Sequence, residues 1–280
     1  MKKDFANIIF LGHCSDTVGL VAKISGFFAE RGINILHLEE HAERGRFFIR
    51  IEGEGQKQKV DLQKEFVPLA EEVGMEYNIF DSCQKIRVAL FCSQSLHCPL
   101  EILSRQITGA LNIEVACIVS NATTIQPIAE RLKIPFYHTP TSVGEDFEST
   151  QLQIIQKSNV DLVALARYMK ILSPEFLKNC KSPIINIHHS FLPSFIGNNP
   201  YEMAYERGVK IVGATAHFVT EDLDEGPIIS QNILPVNHAL SVERMKQRGA
   251  NIEKQVFADS VEKFSERKII EWQGRTIVFQ

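Results

Sequence analysis

No stretch of this 280-residue chain approaches the ~20 consecutive apolar residues that a membrane-spanning helix needs. The early apolar run, Ile8 to Leu11, is far too short for a secretory signal, so a soluble, cytoplasmic protein is expected. The six cysteines form no Cys-x-x-Cys pair, which removes zinc-ribbon and thioredoxin-type readings and leaves buried free thiols as the expectation. Positive charge is not in excess either. Thirty Lys+Arg against 34 Asp+Glu give a formal charge of −4, whereas proteins that neutralise phosphate backbones are usually basic. Neither nucleic acid nor a membrane is therefore an expected partner. Internal repeats and low-complexity tracts are also missing, and 44% apolar residues are too many for a disordered chain.

What is present suits about two domains, at roughly 150 residues each. Residues 6–80 read as βαββαβ: a strand at Asn7–Leu11, a polar turn over Gly12–Thr17, and a helix from Gly19 to Arg31. Apolar residues at Leu20, Val21, Ile24, Phe27 and Phe28 carry that helix's period. A hairpin then joins Ile33–Glu40 to Arg46–Glu52, followed by one helix over Val60–Val73 and a strand at Met75–Phe80. This order is the split βαβ, ferredoxin-like unit. Beyond the polar segment Asp81–Lys85 the rhythm changes to βα repeats, with strands at Ile86–Cys92, Glu114–Ser120, Pro135–His138, Val160–Ala166 and Pro183–Ile187. Continuous apolar strands such as Leu162-Val-Ala-Leu-Ala166 suit a parallel sheet covered on both faces. Strands at Lys210–Val219 and Pro227–Val236, a helix capped by Ser241 and running to about Phe264, and a hairpin around Gly274 complete the reading. The expected domains are 1–82 and 83–280, an α/β chain with a Rossmann-like open sheet in its larger part.

The chemistry concentrates in Ile184-Ile-Asn-Ile-His-His-Ser-Phe-Leu-Pro193. Asn186 and His188 are two apart at the carboxyl end of a strand, so both side chains leave the same face. An amide donor beside an imidazole suits carbonyl chemistry, the amide for a developing oxyanion and the imidazole for proton transfer. A second feature is Thr220-Glu-Asp-Leu-Asp-Glu-Gly-Pro227, with four carboxylates ahead of a Gly-Pro turn. Read alone it is a solvated acidic loop; alternatively Asp224 reaches the crevice, orients His188 and holds a water. No His/Cys/carboxylate spacing points to a metal, so none is expected.

Together, Asn-Ile-His-x-Ser-x-Leu-Pro-x-Phe, His-Phe-Val-Thr and Leu-Asp-x-Gly-Pro-Ile-Ile resemble the formyltetrahydrofolate-dependent formyltransferase family over about residues 86–235. Leu165-Ala-Arg-Tyr-Met-Lys-Ile-Leu-Ser173 resembles that family's folate segment. The resemblance implies a catalytic Asn186, His188 and Asp224. It also implies a pterin pocket at Met169, Lys170, Ile171 and Leu172, with His217 shaping it. Core packing is the alternative reading for Met169 and Leu172, while a solvated surface for Lys170 and a structural histidine for His217 are equal readings.

Two departures separate branches of the family. The turn after the first catalytic-domain strand, Ser93-Gln-Ser-Leu-His-Cys98, lacks the glycines with which the glycinamide-ribonucleotide branch holds its acceptor's phosphate. His189 stands where the transferases carry proline, and His-His-Ser-Phe-Leu-Pro resembles the deformylase branch. Asp16-Thr-Val-Gly19 followed by Gly32-Ile-Asn-Ile35 resembles the ACT domain, as that branch has it. A further departure lies at Gly197-Asn-Asn-Pro-Tyr201, where deformylases carry an arginine. The resemblance thus implies hydrolysis of 10-formyltetrahydrofolate by water to formate and tetrahydrofolate, balancing one-carbon pools for pathways such as purine synthesis, without a further cofactor. An amino-acid effector at Asp16, Gly19 and Asn34 and a homo-oligomer follow from the same resemblance. The rival readings are a formyltransferase with an amine acceptor and a non-catalytic folate or amino-acid sensor.

Overall fold

Alternation of apolar residues builds the first sheet. The computed structural model describes residues 6–56, 59–140, 146–194 and 200–280. In it, β1 (Ala6–Ser15) pairs antiparallel with β3 (Arg46–Gly55) along its whole length and with β4 (Glu76–Asp81) as far as His13. β2 (Asn34–Glu43) lies outside β3, giving the order β2-β3-β1-β4. The polar turn expected over Gly12–Thr17 is mostly strand. Ile8, Phe10 and Cys14 are buried on one face, and Gly12 continues that face because a Cβ there would stand 2.8 Å from Met75 Sδ. The hairpin turn between β2 and β3 is Arg44-Gly45, both with positive φ, as two-residue hairpins require.

Helix α1 (Leu20–Glu30) buries Leu20, Ile24, Phe27 and Phe28, one stripe at helical spacing. The single helix expected over Val60–Val73 is two, α2 (Lys59–Glu65) and α3 (Val67–Val73), because Pro68 has no N–H to continue the first. Phe66, at the break, packs edge-on against Phe10 and Phe27 with ring centroids 4.8 and 4.9 Å apart.

The second sheet is formed by β5 (Ile86–Cys92), β6 (Ile113–Ser120), β7 (Phe136–His138), β8 (Leu162–Ala166), β9 (Ile184–His188), β10 (Ile211–Phe218) and β11 (Ile228–Pro235). Their order is β11-β10-β9-β8-β5-β6-β7, parallel from β9 through β7, with β10 antiparallel to both its neighbours. The chain winds from β5 out to β7 and then returns to place β8 on the other side of β5, so the order reverses between β5 and β8. Helices α4 (His97–Thr108), α5 (Gln126–Leu132), α6 (Phe147–Lys157) and α7 (Pro174–Asn179) make the crossovers, and α9 (Val242–Ser265) packs on β9, β10, β11 and α4. Helix α8 (Pro200–Arg207) has no counterpart in the sequence reading, since only Pro200, Tyr201 and Ala204 carry its buried face. The departure at Gly197, Asn198 and Asn199 lies outside the described residues. All six cysteines are free; Cys83, in the polar segment after β4, is exposed and departs from the expected burial.

The chain divides into Met1–Lys85 with Glu266–Ile270 and Ile277–Gln280, and Ile86–Ser265 with Glu271–Thr276. Part of the tail expected in the larger domain therefore belongs with the smaller unit. Arg50 of β3, only 1% exposed, explains that return. Its Nε donates to the Arg267 carbonyl (3.0 Å), and its Nη2 donates to the Glu266 carbonyl (2.8 Å) and to Glu52 (2.6 Å). Burying a guanidinium is costly unless its donors find acceptors; Nε and Nη2 do, two of their three acceptors being tail backbone, while Nη1 has no partner among the described residues. Arg50→Ala is expected to lower stability by on the order of 3 kcal/mol, read as a lower urea midpoint at unchanged slope.

Candidate active site

Strand β9 ends at the carboxyl edge of the parallel sheet, where open α/β folds bind ligands. Asn186 and His188 lie there on one face of the strand. The loop after β10 carries Asp224 back to them. Gly226 makes this return possible, since a Cβ at that position would overlap the Phe218 carbonyl, and the Phe218 N–H donates to Pro227 O at 2.9 Å. Asp224 itself has a left-handed backbone, φ 59°, which aspartate accepts more readily than most residues. The loop is thus not simply a solvated acidic turn.

The Asp224 carboxylate stands between two imidazoles. Oδ2 is 3.3 Å from His188 Nδ1, and Oδ1 is 3.6 Å from His217 Nε2. Burial pushes its pKa upward, but hydrogen bonds and charge from His188 and His217 prevail and hold the carboxyl well below the usual aspartate range. Asp224 is therefore ionised. With Nδ1 of His188 turned to this carboxylate, the other ring nitrogen, Nε2, is buried and has no hydrogen-bond partner among the described residues.

His217 settles the orientation of Asn186. Its Nδ1 is 2.8 Å from the Phe218 carbonyl, which can only accept, so Nδ1 carries the proton. In the neutral ring Nε2 is then an acceptor, and Asn186 Nδ2 donates to it at 3.3 Å. The amide keeps a second N–H for another acceptor. The role foreseen for His217 at the pocket wall is joined by this contact, which strand spacing alone did not reveal.

These groups line a cavity of about 200 Å³ that also includes Met169, Lys170, Ile171 and Leu172. Ile171 is 71% exposed and Met169 and Lys170 are exposed, while Leu172 is buried in the core. The apolar side chains at the cavity mouth are thus available to a flat ligand, and Leu172 is its floor. Tyr168 joins this wall and is held from behind by Gln151 of α6, whose Nε2 donates to the Tyr168 hydroxyl at 2.9 Å. Asp16, Gly19 and Asn34 belong to the first sheet's unit and lie apart from this cavity. Asp16 N–H donates to Gly45 O, Gly19 precedes α1 with φ 91°, and Asn34 Nδ2 donates to Glu54 at 3.4 Å.

Sequence reasoning missed a charged cluster beside the cavity. Glu253 of α9 is 2% exposed and accepts from His97 Nε2 and from the Tyr201 hydroxyl, each at 2.8 Å, while Arg167 Nε lies 3.5 Å away. Burial pushes the Glu253 carboxyl up, but the His97 hydrogen bond and the Arg167 charge outweigh it and hold the pKa at about 2. His97, Cys98 and Glu253 place three ligand-type atoms within 4.8 Å of one another. Burial keeps the Cys98 thiol well above its ordinary pKa, and a guanidinium stands against the carboxylate. Both disfavour a cation, so the set reads as an ion-pair cluster.

With this geometry in hand, comparison with known proteins is informative. A family model described as Formyl transferase matches residues 86–261, and one described as ACT domain matches residues 8–66. A formyltetrahydrofolate deformylase of Bacillus subtilis (strain 168) is 42% identical over 274 residues, spanning 95% of this chain and 91% of the relative. The crystal structure of a formyltetrahydrofolate deformylase from Pseudomonas syringae pv. tomato str. DC3000 superposes with a TM-score of 0.95 at 37% identity, covering 98% of this chain and 94% of that one. A glycinamide ribonucleotide transformylase from Symbiobacterium toebii matches with a TM-score of 0.66 at 30% identity, covering 70% of this chain and 95% of its own.

The Glu253 cluster has a measurable signature. A carboxyl with an ordinary pKa of 4.5 that folding lowers to about 2 adds stability that is fully present above pH 4.5 and is lost as pH falls toward 2. Acid titration of urea stability should show that loss, on the order of 3 kcal/mol, across this window. Glu253→Gln should be less stable at neutral pH and should lack that part of the acid dependence.

Proposed function

The chain belongs to the formyltetrahydrofolate deformylases, and we propose that it hydrolyses 10-formyltetrahydrofolate through Asn186, His188 and Asp224. The observation that carries this assignment is the ionised Asp224 held against His188 Nδ1, which leaves His188 Nε2 free beside the spare N–H of Asn186. The formyl group is an amide-like carbonyl. Water bonds to its carbon and loses one proton to His188 Nε2, and the carbonyl oxygen becomes an oxyanion, to which Asn186 donates; one such donor is typically worth about 3 kcal/mol. Asp224 fixes the ring of His188, so Nε2 can pass the proton taken from water to the leaving nitrogen. The carbon–nitrogen bond then breaks, tetrahydrofolate takes the proton, and formic acid leaves as formate with release of a second proton. His217 holds Asn186 in the donating orientation.

Met169, Lys170, Ile171 and Leu172 are assigned to the pterin pocket, and the exposure of the first three beside a buried Leu172 supports this. The scheme draws on folate and water and needs no further cofactor. Free thiols at all six cysteines fit a reducing compartment, the cytoplasm. In the ACT unit, Asp16, Gly19 and Asn34 are assigned to an amino-acid effector. The space around Gly19, where nothing lies within 4 Å of a would-be Cβ, supports a ligand there. Strand β2, a sheet edge with mostly exposed residues, supports pairing with a second copy into a homo-oligomer.

Purified protein given 10-formyltetrahydrofolate and no acceptor should release formate. Asn186→Ala should lower kcat by about 10²–10³-fold and Asp224→Asn by about 10²–10⁴-fold, with melting temperatures retained. Turnover that requires an added amine would overturn hydrolysis. A thermal-shift panel of amino acids should raise the melting temperature with at least one of them, and Gly19→Val should remove that response.

A further inference from the structure

In an open α/β sheet the ligand crevice is expected where the strand order reverses, at the carboxyl ends of the two diverging strands. Here the reversal lies between β5 and β8, yet the catalytic Asn186 and His188 stand one strand further on, at β9. The switch point itself is filled. Arg167 follows β8 and His97 follows the turn after β5, and the Met169 N–H donates to Ser93 Oγ at 3.1 Å, tying the two strand ends together. Glu253 joins Arg167 and His97 from behind, and Tyr201 completes the set.

The packing is specific to this purpose. Gly249 lies one turn before Glu253 on α9, and a Cβ there would overlap the Tyr201 hydroxyl. A glycine inside a 24-residue helix weakens it, so its presence under Tyr201 is explained by the place it makes for that ring. Arg167 holds a left-handed backbone, φ 60°, which a residue other than glycine adopts at a cost. Among the described residues the reaction cavity reaches Arg167 and takes no wall from the β5–α4 turn or from α9.

We propose that Arg167, backed by Glu253, His97 and Tyr201, determines which nucleophile reaches the formyl carbon: the cluster occupies the volume where an amine would stand, and only water fits. This rests on the hydrolytic reading above. In the diverted reaction an amine nitrogen would bond to the formyl carbon, the bond from that carbon to the folate nitrogen would break, and a proton of the amine would pass to that nitrogen. The products would be a formamide and tetrahydrofolate, with no formate.

The test is product partitioning. Carbon-13 formyl-labelled substrate is turned over with glycinamide in excess, and formate and formylglycinamide are quantified by NMR. Wild type is expected to give formate alone. Arg167→Gly is expected to raise the formylglycinamide-to-formate ratio by about tenfold or more, and Arg167→Lys, which restores charge and bulk, to return it toward wild type. His97→Ala opens the same wall from the β5 side and should shift the ratio in the same direction, giving a second readout if Arg167→Gly does not fold. A lower rate with an unchanged ratio in a folded variant would overturn the proposal, as would formylglycinamide from the wild type. Absence of formate release by the wild type without glycinamide would instead refute the hydrolytic reading itself.

Discussion

One partly buried carboxylate organises the reaction centre. Asp224 is ionised at a largely enclosed position, and an ion there must be met by a donor, which His188 Nδ1 supplies at 3.3 Å from Oδ2. That single requirement accounts for much of the surrounding structure. It fixes the ring of His188, and it stands beside His217, whose other nitrogen is committed to the Phe218 carbonyl. It also demands that a strongly acidic loop fold back over apolar strands, which Gly226 allows. If the carboxylate were absent, His217 and Asn186 would keep the orientation that the Phe218 carbonyl sets, but nothing would choose the tautomer of His188 or aim its ring.

A second carboxylate, the fully buried Glu253, obeys the same electrostatic rule with a different outcome. Its partners are a guanidinium, an imidazole and a phenol, and they leave its oxygens occupied. Around Asp224 the partners leave a reactive ring nitrogen free; around Glu253 the imidazole and the phenol spend their donors on the carboxylate, and Arg167 stands against it as a charge. The two clusters flank neighbouring strand ends of one sheet, and they differ in how many partners their carboxylate oxygens take up.

Much of this was legible in the residues. The βαββαβ order followed from periodicity, the parallel core from continuous apolar strands, and the pairing of Asn186 with His188 from the two-residue repeat of a strand. Asp224 could be suspected from the Gly-Pro turn after it. The failures are equally physical. Gly12 reads as a turn residue but occupies an inward position that Met75 fills, so alternation through Phe10 and Cys14 was the better signal. Pro68 inside an apolar period divides α2 from α3. Glu253 and Arg167 carry no local signature, because their meaning depends on residues 86 positions apart that only the fold brings together.

Arg50 shows how far linear order can diverge from physical modules. Two of the acceptors that satisfy its guanidinium are backbone carbonyls at residues 266 and 267, more than two hundred positions downstream. The unit that reads as an N-terminal cassette is thus unfinished while it emerges from the ribosome. It must wait, with a charged group ready for burial, until residues 266 and 267 have been synthesised. The same holds for recombination: a graft of the first 85 residues onto another enzyme would carry the arginine without the carbonyls that make its burial tolerable.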